Sequence, residues 1–363
     1  MVTISRRTAI ASGLTVAAGG ALGYGLWPGL DAYEQEVERQ RKLIASEPTL
    51  VELVRMASLA ANGHNSQPWM FHLDAQTVSI RPDVSRRTQV VDPDDHHLYV
   101  SLGCAAENLV IAAAALGRRP DLAIRPGAET SIDIALAPGP STGDTLYRAI
   151  PHRQSTRSVF DGRPVSSEDI KLLEAAAKEE GVTLLVFTEP SDLNDILEFV
   201  VDGNSAQMDD PAFVAELRHW IRFSSSTAIE TGDGLFSACA GNPVLPEWAG
   251  GMLFEALFTK ETENEKYRDH IRSSAGVAVF FGAKEDPEHW IKVGRSFERF
   301  ALQATALGIR TAHLNQPIEV LSVRPGFARW LGMPDARPDL VVRFGRAPAL
   351  PMSLRRSVDA IIM

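Results

Sequence analysis

Two arginines and a hydroxyl group alternate along the chain at Arg153, Ser155 and Arg157. In an extended segment, side chains at alternate positions point to the same face, so these three would lie side by side. Two guanidinium forks and a hydroxyl group are well suited to binding a phosphate dianion. The same spacing also occurs in solvated surface loops, so the pattern by itself leaves both interpretations open.

A second candidate site is the turn at residues 61–69, which reads Ala-Asn-Gly-His-Asn-Ser-Gln-Pro-Trp. Its glycine and asparagines permit unusual backbone angles, and its proline fixes the exit from the turn. The amides of Asn65 and Gln67 can bind the edge of a planar heterocycle through hydrogen bonds. Alternatively, the segment is a polar turn that caps the preceding helix, with Trp69 in the core. The candidate binding residues in this turn are Asn62, Gly63, His64, Asn65, Gln67 and Trp69.

Arginines near the end of the chain form a third candidate group, at Arg346, Arg355 and Arg356. The last two follow a Leu-Pro pair at residues 350–351. These arginines could extend a phosphate site or form a basic cluster on the surface.

The other reactive residue types point away from metal and nucleophile sites. Of the two cysteines in the chain, Cys104 lies in an apolar run and is predicted to be a small buried side chain. The adjacent His96 and His97 are predicted to be surface or capping residues, because neighbours on a helix point in different directions. The sequence contains no H-E-x-x-H or P-loop pattern, and its one G-x-S-x-G match, at residues 139–143, falls in a Pro-Gly-rich stretch that is typical of a linker, so it predicts no side-chain nucleophile or zinc site.

The elements that position these residues include an internal repeat. Residues 94–119 match residues 285–310 without a gap, 191 positions later, and both segments have helical periodicity and end in Leu-Gly. The matched pairs include Gly103 with Gly294, Glu107 with Glu298, Ala113 with Ala304, Ala115 with Ala306 and Arg119 with Arg310. This agreement favours a duplication over a chance likeness of two amphipathic helices.

Strand and helix patterns interleave in both halves, which predicts an α+β fold with two similar lobes. Helices are expected at 31–46, 49–60, 167–178 and 211–223, and strands at 78–81, 131–136, 183–187, 276–281 and 340–344. A Pro-Gly-Pro-Ser-Thr-Gly stretch near residue 140 reads as a linker, which divides the chain into lobes at 31–145 and 146–363. Residues 224–265 fit neither lobe and are predicted to form a lid or binding loop.

At these sites together the chain resembles the nitroreductase superfamily, and more specifically its tandem, Acg-type members, from about Thr49 to its end. The resemblance implies a nitroreductase-like fold and an FMN whose phosphate is bound by the Arg-Ser-Arg segment and the C-terminal arginines. It also implies that the turn at 61–69 lies against the same flavin, as the other subunit's turn does in the family. The backbone near flavin N5 would come from His313, Leu314, Asn315 and Gln316. The turn departs from the family's pattern, because Ala61 stands in place of proline and Asn62-Gly63 in place of small hydroxyl residues.

The distribution of these motifs implies one cofactor rather than two. The first lobe has the turn but no Arg-Ser-Arg segment before it, whereas the second lobe has the arginines but no such turn. We therefore predict one composite FMN site between fused lobes that imitate the family's homodimer, one vacant pseudo-site, and a monomeric protein. The flavin carries the hydride chemistry, so no catalytic side chain is predicted. The expected function is two-electron reduction of a small oxidised acceptor by a small-molecule donor. The alternative is an FMN-sequestering or storage protein with a closed lid and little turnover.

The N-terminus and the net charge bear on where the protein works. Ser5-Arg6-Arg7-Thr8 precedes an apolar run rich in alanine and glycine, which is typical of a Tat export signal, so residues 1–30 are set apart from the fold. This signal predicts export of the folded protein to the periplasm or the outer face of the cytoplasmic membrane. Cleavage of the segment and its retention as a membrane anchor both stay open, and an exported location disfavours NAD(P)H as the donor. The net charge of −10 argues against a nucleic-acid partner, because binding phosphates requires a basic surface.

Overall fold

The computed structural model of the protein describes residues 30–45 and 47–363, so the predicted export signal lies outside the described residues apart from Leu30. The strands are β1 Trp69–Asp74, β2 Thr77–Pro82, β3 Arg118–Arg125, β4 Ser131–Pro138, β5 Val182–Phe187, β6 Ile221–Arg222, β7 Leu235–Phe236, β8 Gly276–Gly282, β9 Arg310–His313 and β10 Leu340–Gly345. The α-helices are α1 Leu30–Arg41, α2 Leu50–Ser58, α3 His96–Ala115, α4 Asp144–Ala149, α5 Ser167–Ala176, α6 Pro190–Met208, α7 Pro211–Trp220, α8 Ser225–Thr231, α9 Glu247–Leu257, α10 Lys260–Arg272, α11 Pro287–Ala306, α12 Gln316–Glu319 and α13 Arg324–Trp330.

Two four-stranded antiparallel sheets organise the chain, and they share one topology. The first has the strand order β1-β2-β4-β3 and the second has the order β5-β8-β10-β9. In each sheet a long helix, α3 or α11, connects the second strand along the chain to the third. The prediction of an α+β fold is confirmed. The predicted helix at 211–223 ends earlier, at Trp220, because the chain continues in extended conformation as β6 and pairs with β7.

The two repeat helices pack against each other through their matching glycines. A Cβ atom on Gly103 would lie 2.1 Å from the carbonyl oxygen of Ile291, and one on Gly294 would lie 2.0 Å from that of Val100. Ile291 follows Val100 by the same 191 residues that separate the glycines, so each helix makes the same contact with the other. The crossing therefore has a local two-fold symmetry, and only glycine lets the backbones approach this closely.

The main apolar core spans both lobes. It contains buried residues of the first sheet, the helix pair and the second sheet, and Cys104 belongs to it, as predicted. Among the described helices, α3 alone is long and apolar enough to cross a membrane, and 78% of that stretch is buried inside the protein. The helix is accordingly the centre of the fold, where both lobes pack on it.

The lobes differ most in the connection between their first two strands. In the first lobe β1 and β2 are joined by a turn at residues 75–76, whereas in the second lobe residues 188–275 separate β5 from β8. This insertion carries α6 to α10 and the short pair β6–β7, so it is larger than the predicted 224–265. After β10 the chain returns to the first lobe, where the backbone N–H of Phe71 donates to Ile361 at 2.7 Å.

Candidate functional site

A cavity of about 550 Å³ lies where the two lobes and the insertion meet. Its volume falls within the range of roughly 300–1,000 Å³ that is common for small-molecule and cofactor sites. The first lobe contributes the turn at 61–64 and His97, and the insertion contributes an apolar wall that includes Phe223 and Phe254. Seven of the predicted site residues line it: Asn62, Gly63, His64, Arg157, His313, Asn315 and Gln316.

Two cations that the structure describes line this cavity: Lys266, which is paired with Glu263, and Arg157, which is unpaired. Protein surrounds its guanidinium group, yet the side chain opens onto the cavity and makes no hydrogen bond or ion pair with any residue that the structure describes. Burial lowers the pKa of Arg157, and the neighbouring Arg153 acts in the same direction, while Tyr267 opposes it. An arginine stays charged in proteins, and its planar fork of donors binds carboxylate and phosphate groups. The position is therefore suited to an anionic ligand.

Three more polar atoms at the cavity have no hydrogen-bond partner among the described residues. They are Nδ1 of His64, Nδ1 of His313 and Oε1 of Gln316. Burial lowers the pKa of His64 to about 4 and that of His313 to about 3, so both rings are neutral at physiological pH. A neutral imidazole offers one donor and one acceptor, and an amide oxygen accepts. Together these atoms can bind a ligand with a polar, planar edge, because native proteins rarely leave buried polar atoms unpaired.

The turn at 61–69 has a strained backbone held by the insertion. His64, Asn65 and Gln67 have φ angles of 49°, 54° and 54°, a left-handed conformation that costs a residue other than glycine about 1–3 kcal/mol. Nδ2 of Asn65 donates to the carbonyl of Gly234 at 3.0 Å, and Nε2 of Gln67 donates to that of Gly232 at 2.9 Å. Both amides therefore bind the loop at 231–234. Neither lines the cavity, where it was predicted to form hydrogen bonds with the edge of a planar heterocycle.

Arg153 and Arg355, predicted to bind phosphate, cap the end of helix α2 instead. Nη2 of Arg153 donates to the carbonyl of Leu59 at 2.9 Å, and Arg355 donates through Nε to Ser58 at 2.6 Å and through Nη2 to Leu59 at 3.1 Å. Cationic side chains donate hydrogen bonds to the free carbonyls at a helix C-terminus and interact favourably with the negative end of the helix dipole. Arg153 also lies 3.2 Å from the buried carboxylate of Glu298. These two arginines thus hold the start of the turn rather than line the cavity.

Five other predicted residues also lie away from the cavity: Trp69, Leu314, Ser155, Arg346 and Arg356. The first two are packed in the apolar cores, and Ser155 lies beside β9 in a backbone bridge. The two arginines form ion pairs with Asp169 and Asp83, at 3.1 and 3.3 Å respectively. Their side chains therefore do not line the cavity, although the backbone of Leu314, which was predicted to approach the flavin, lies between two residues that do, His313 and Asn315.

Sequence analysis missed Arg41, at the end of helix α1. Its guanidinium group is buried and donates to the carbonyls of Pro151 and Ser353, at 2.9 and 3.1 Å. Burial lowers the pKa of Arg41 to about 10, and the charge of Arg153 contributes to the shift. Arg41 therefore adds a positive charge behind the cavity, and no spacing or motif in its charged helix marks it for this position.

Of the adjacent histidines, which were predicted to be surface or capping residues, His96 is buried and His97 is half-buried, so the surface prediction was wrong for His96. Nε2 of His96 lies 2.7 Å from Oδ1 of Asp339, and His97 lines the cavity. Both oxygens of Asp92 accept backbone N–H groups, from His97 at 2.9 Å and Leu98 at 3.0 Å. The carboxylate caps helix α3, which draws the histidines into the interior between the two lobes.

The chain is a two-lobed α+β protein with a cavity shared between its lobes, and it is similar to several known proteins. No protein-family model matches the chain. It is 24% identical over 344 residues to a Mycobacterium tuberculosis protein named as an NAD(P)H nitroreductase, Rv3131, covering 86% of this chain and 91% of the relative. It is 26% identical over 326 residues to acg of the same organism, also named as an NAD(P)H nitroreductase, covering 85% and 93%.

Solved structures with a similar fold are also nitroreductases by name. One is a nitroreductase from Anabaena variabilis, with a TM-score of 0.42 and 10% identity, covering 82% of this chain and 74% of that one. Another is the FMN-dependent nitroreductase NfnB from Mycobacterium smegmatis in complex with NADPH, with a TM-score of 0.37 and 15% identity, covering 60% and 92%. These likenesses concern the fold alone.

Proposed function

We propose that the chain is a nitroreductase-like flavoprotein that binds one FMN in the cavity between its lobes and reduces a small oxidised acceptor by two electrons. The observation that carries the proposal is the unpaired guanidinium group of Arg157, which faces a cavity of about 550 Å³. The names of the sequence relatives support the reaction, and solved neighbours such as the Bacteroides fragilis nitroreductase with bound FMN support the cofactor.

The residues of the cavity fit this cofactor. Arg157 would hold its anionic part, and the positive charge would also favour the reduced, anionic flavin. His64, His313 and Gln316 would satisfy their unpaired atoms on its polar groups. When bound, FMN supplies two-electron, hydride-type chemistry. The apolar wall of the insertion, including Phe223 and Phe254, would exclude water from that chemistry.

The local symmetry supports a single site. Cys104 lines the cavity, and the residue 191 positions later is Arg295. Arg295 forms ion pairs with Glu107 at 2.8 Å and with Glu179 at 3.0 Å, and Arg299 joins the same two carboxylates. At the symmetry-related position the protein thus has a closed ion-pair network in place of the small thiol side chain. We infer that the second site of a nitroreductase dimer is filled here by protein, so that one chain acts as a monomer.

Cofactor analysis of the purified full chain tests this proposal. The expected result is a yellow protein that releases one FMN per chain on denaturation, measured by absorbance and chromatography. Two FMN per chain would contradict the single composite site, and a colourless chain that takes up no added FMN would contradict the cofactor assignment.

Export by the Tat route remains our proposal for the location, and it bears on the electron donor. The relatives are named as NAD(P)H enzymes, whereas a protein exported in folded form would meet little of that donor. Cell fractionation locates the protein, and recovery of the full chain with the cytoplasmic fraction alone would contradict export. Bleaching of the yellow protein by NADPH tests the donor.

A sequestering role is the second candidate, because the insertion is fastened over the turn. The carboxylate of Asp233 binds the guanidinium groups of Arg86 and Arg222, and the backbone N–H of Gly234 donates to the carbonyl of Asn65. These contacts join the insertion to the first lobe beside the cavity. If these contacts stay formed, FMN stays bound and acceptors cannot enter. If they break reversibly, turnover is possible.

Replacing Asp233 with asparagine is expected to speed FMN release and bleaching by NADPH by about 10- to 100-fold. The variant weakens the bond to Arg86, the one Asp233 pair that crosses to the first lobe, and a hydrogen bond between charged groups contributes about 1.5–3 kcal/mol. Stopped-flow absorbance and dilution into apoprotein measure the two rates. Asp161→Asn is the control, because that carboxylate pairs with Arg163 on the exposed surface. Rates equal to those of the unmodified protein would show that this ion pair does not limit access.

A further inference from the structure

At the edge of the cavity, Asn315 determines which ring nitrogen of His97 carries the proton. The backbone N–H of Val341 donates to Oδ1 of Asn315 at 3.0 Å, so Nδ2 of the amide faces Nε2 of His97 at 3.4 Å. An amide nitrogen can only donate, so Nε2 of the imidazole accepts. Burial lowers the pKa of His97 to about 3, so the ring is neutral. Its single proton is therefore on Nδ1.

The Nδ1–H group of His97 points towards two carboxyl groups. It lies 3.9 Å from Oδ1 of Asp92 and 3.9 Å from Oε1 of Glu319. The Asp92 oxygens already accept the two backbone N–H groups at the start of helix α3. Asp92, His96 and His97 lie close enough to surround a metal ion, but a protonated Nδ1 and a capping carboxylate are not arranged as ligands. Glu319 is the carboxyl group left free to react.

Glu319 has one bonded oxygen and one open oxygen. Its Oε2 accepts a hydrogen bond from Nε2 of Gln207 at 2.7 Å. Its Oε1 makes no hydrogen bond with any described residue, and the side chain lines the cavity. Because an amide N–H occupies Oε2 as an acceptor, a proton on this carboxyl group belongs on Oε1, the open atom.

The net effect of its surroundings is to raise the pKa of the Glu319 carboxyl group above its ordinary value. Burial raises the pKa of its carboxyl group, against opposing contributions from His97 and Gln207. The groups that face it from the elements packed around it are His97, Asp92, Gln207, Tyr267 and Arg324. Of these groups, His97, Gln207 and Arg324 lower the pKa of Glu319 and Asp92 raises it, but burial makes the largest contribution.

We propose that Glu319 is the proton donor to the acceptor that is reduced in this cavity, a role that rests on the proposed flavin function. When bound, the cofactor would supply a hydride, with its two electrons, to the acceptor, and Oε1 of Glu319 would supply the proton. The O–H bond of the carboxyl group breaks as a new O–H bond forms on the acceptor. The carboxylate left behind is stabilised by the N–H groups of Gln207 and His97 and regains its proton from water.

Glu319→Gln tests the role, because glutamine keeps the shape and the neutral state of the acid but has no acidic proton. The protein is reduced with dithionite and mixed with nitrobenzene or with ferricyanide, which accepts electrons without a proton. The expected result is an unchanged FMN content, reoxidation by nitrobenzene about 100-fold slower or more, and an unchanged rate with ferricyanide. Glu263→Gln is the control: this residue lines the same cavity, but its side chain forms an ion pair with Lys266.

Infrared difference spectra give a readout that does not need turnover. Subtracting the spectrum of Glu319→Gln from that of the unmodified protein at neutral pH should leave the carbonyl band of a protonated carboxylic acid, and subtracting that of Glu263→Gln should not. With FMN bound, equal slowing by both acceptors, no slowing by nitrobenzene, or the absence of the band would overturn the donor role alone. A chain that binds no FMN would overturn the proposed function, and this role with it.

Discussion

Replacing Arg157 with alanine is expected to raise the dissociation constant for FMN by roughly 100- to 3,000-fold. This range corresponds to about 3–5 kcal/mol, the loss when one partner of a buried charge pair is removed. No residue that the structure describes forms a hydrogen bond or ion pair with Arg157, so its full charge is available to the bound anion. Fluorescence titration of the apoprotein with FMN measures the constant, since free FMN is strongly fluorescent and bound flavin is usually quenched.

Two further variants separate the roles of charge and of position. Arg157→Lys keeps the charge but loses the planar fork, so an intermediate affinity is expected. Arg346→Ala is the matched control, because Arg346 binds Asp169 and the carbonyl of Leu307 away from the cavity. Equal FMN retention by Arg157→Ala and Arg346→Ala would remove Arg157 from the site and leave the cavity without its anion-binding group.

The contrast between Arg157 and Arg153 shows how far spacing could predict the site. Alternation puts the three side chains on one face only if the segment is extended, and Ser155 does form a backbone bridge with Thr311 of β9. Alternation could not separate the two arginines, because their partners come from elsewhere in the chain. Arg153 meets the end of helix α2 and Glu298, whereas Arg157 meets the open cavity. Such a division of roles depends on how the two lobes pack, and local sequence carries little information about it.

In the turn at 61–69, the direction of the amide side chains also depends on partners that are distant in sequence. Its unusual backbone was predictable from its composition, and three of its non-glycine residues do have positive φ. The direction of Asn65 and Gln67 was not predictable, because it is set by the loop at 231–234, which belongs to the insertion. The prediction for the adjacent histidines failed for a related reason, because Asp339, the partner of His96, lies in the other lobe.

The repeat was the most informative pattern, since it located both central helices with the same offset. Helices α3 and α11 begin and end 191 residues apart, as the matched segments do. The sequence alone could not show that the two copies contact each other through their glycines. That contact makes a strong prediction about stability, because neither backbone can move without separating two long, buried helices.

Replacing Gly294 with alanine is expected to lower the free energy of unfolding by roughly 3 kcal/mol, since overpacking costs about 1–3 kcal/mol or more. The new Cβ would lie 2.0 Å from the carbonyl oxygen of Val100, and a backbone atom in a helix cannot rotate away. Chemical denaturation of the full chain measures the loss. Gly326→Ala on α13 is the control: its Cβ would make an ordinary contact at 3.6 Å with Phe199, so the better helix propensity of alanine should raise stability by up to about 1 kcal/mol.

The double variant Gly103→Ala/Gly294→Ala tests the symmetry of the crossing. Each single variant should cost a similar amount, because the two Cβ atoms would meet carbonyl oxygens at 2.1 and 2.0 Å. One movement, the separation of α3 from α11, relieves both clashes, so the combined loss should be clearly smaller than the sum of the two. Strict additivity would mean that each clash is relieved by its own local distortion, and the two helices would then not act as one symmetric unit.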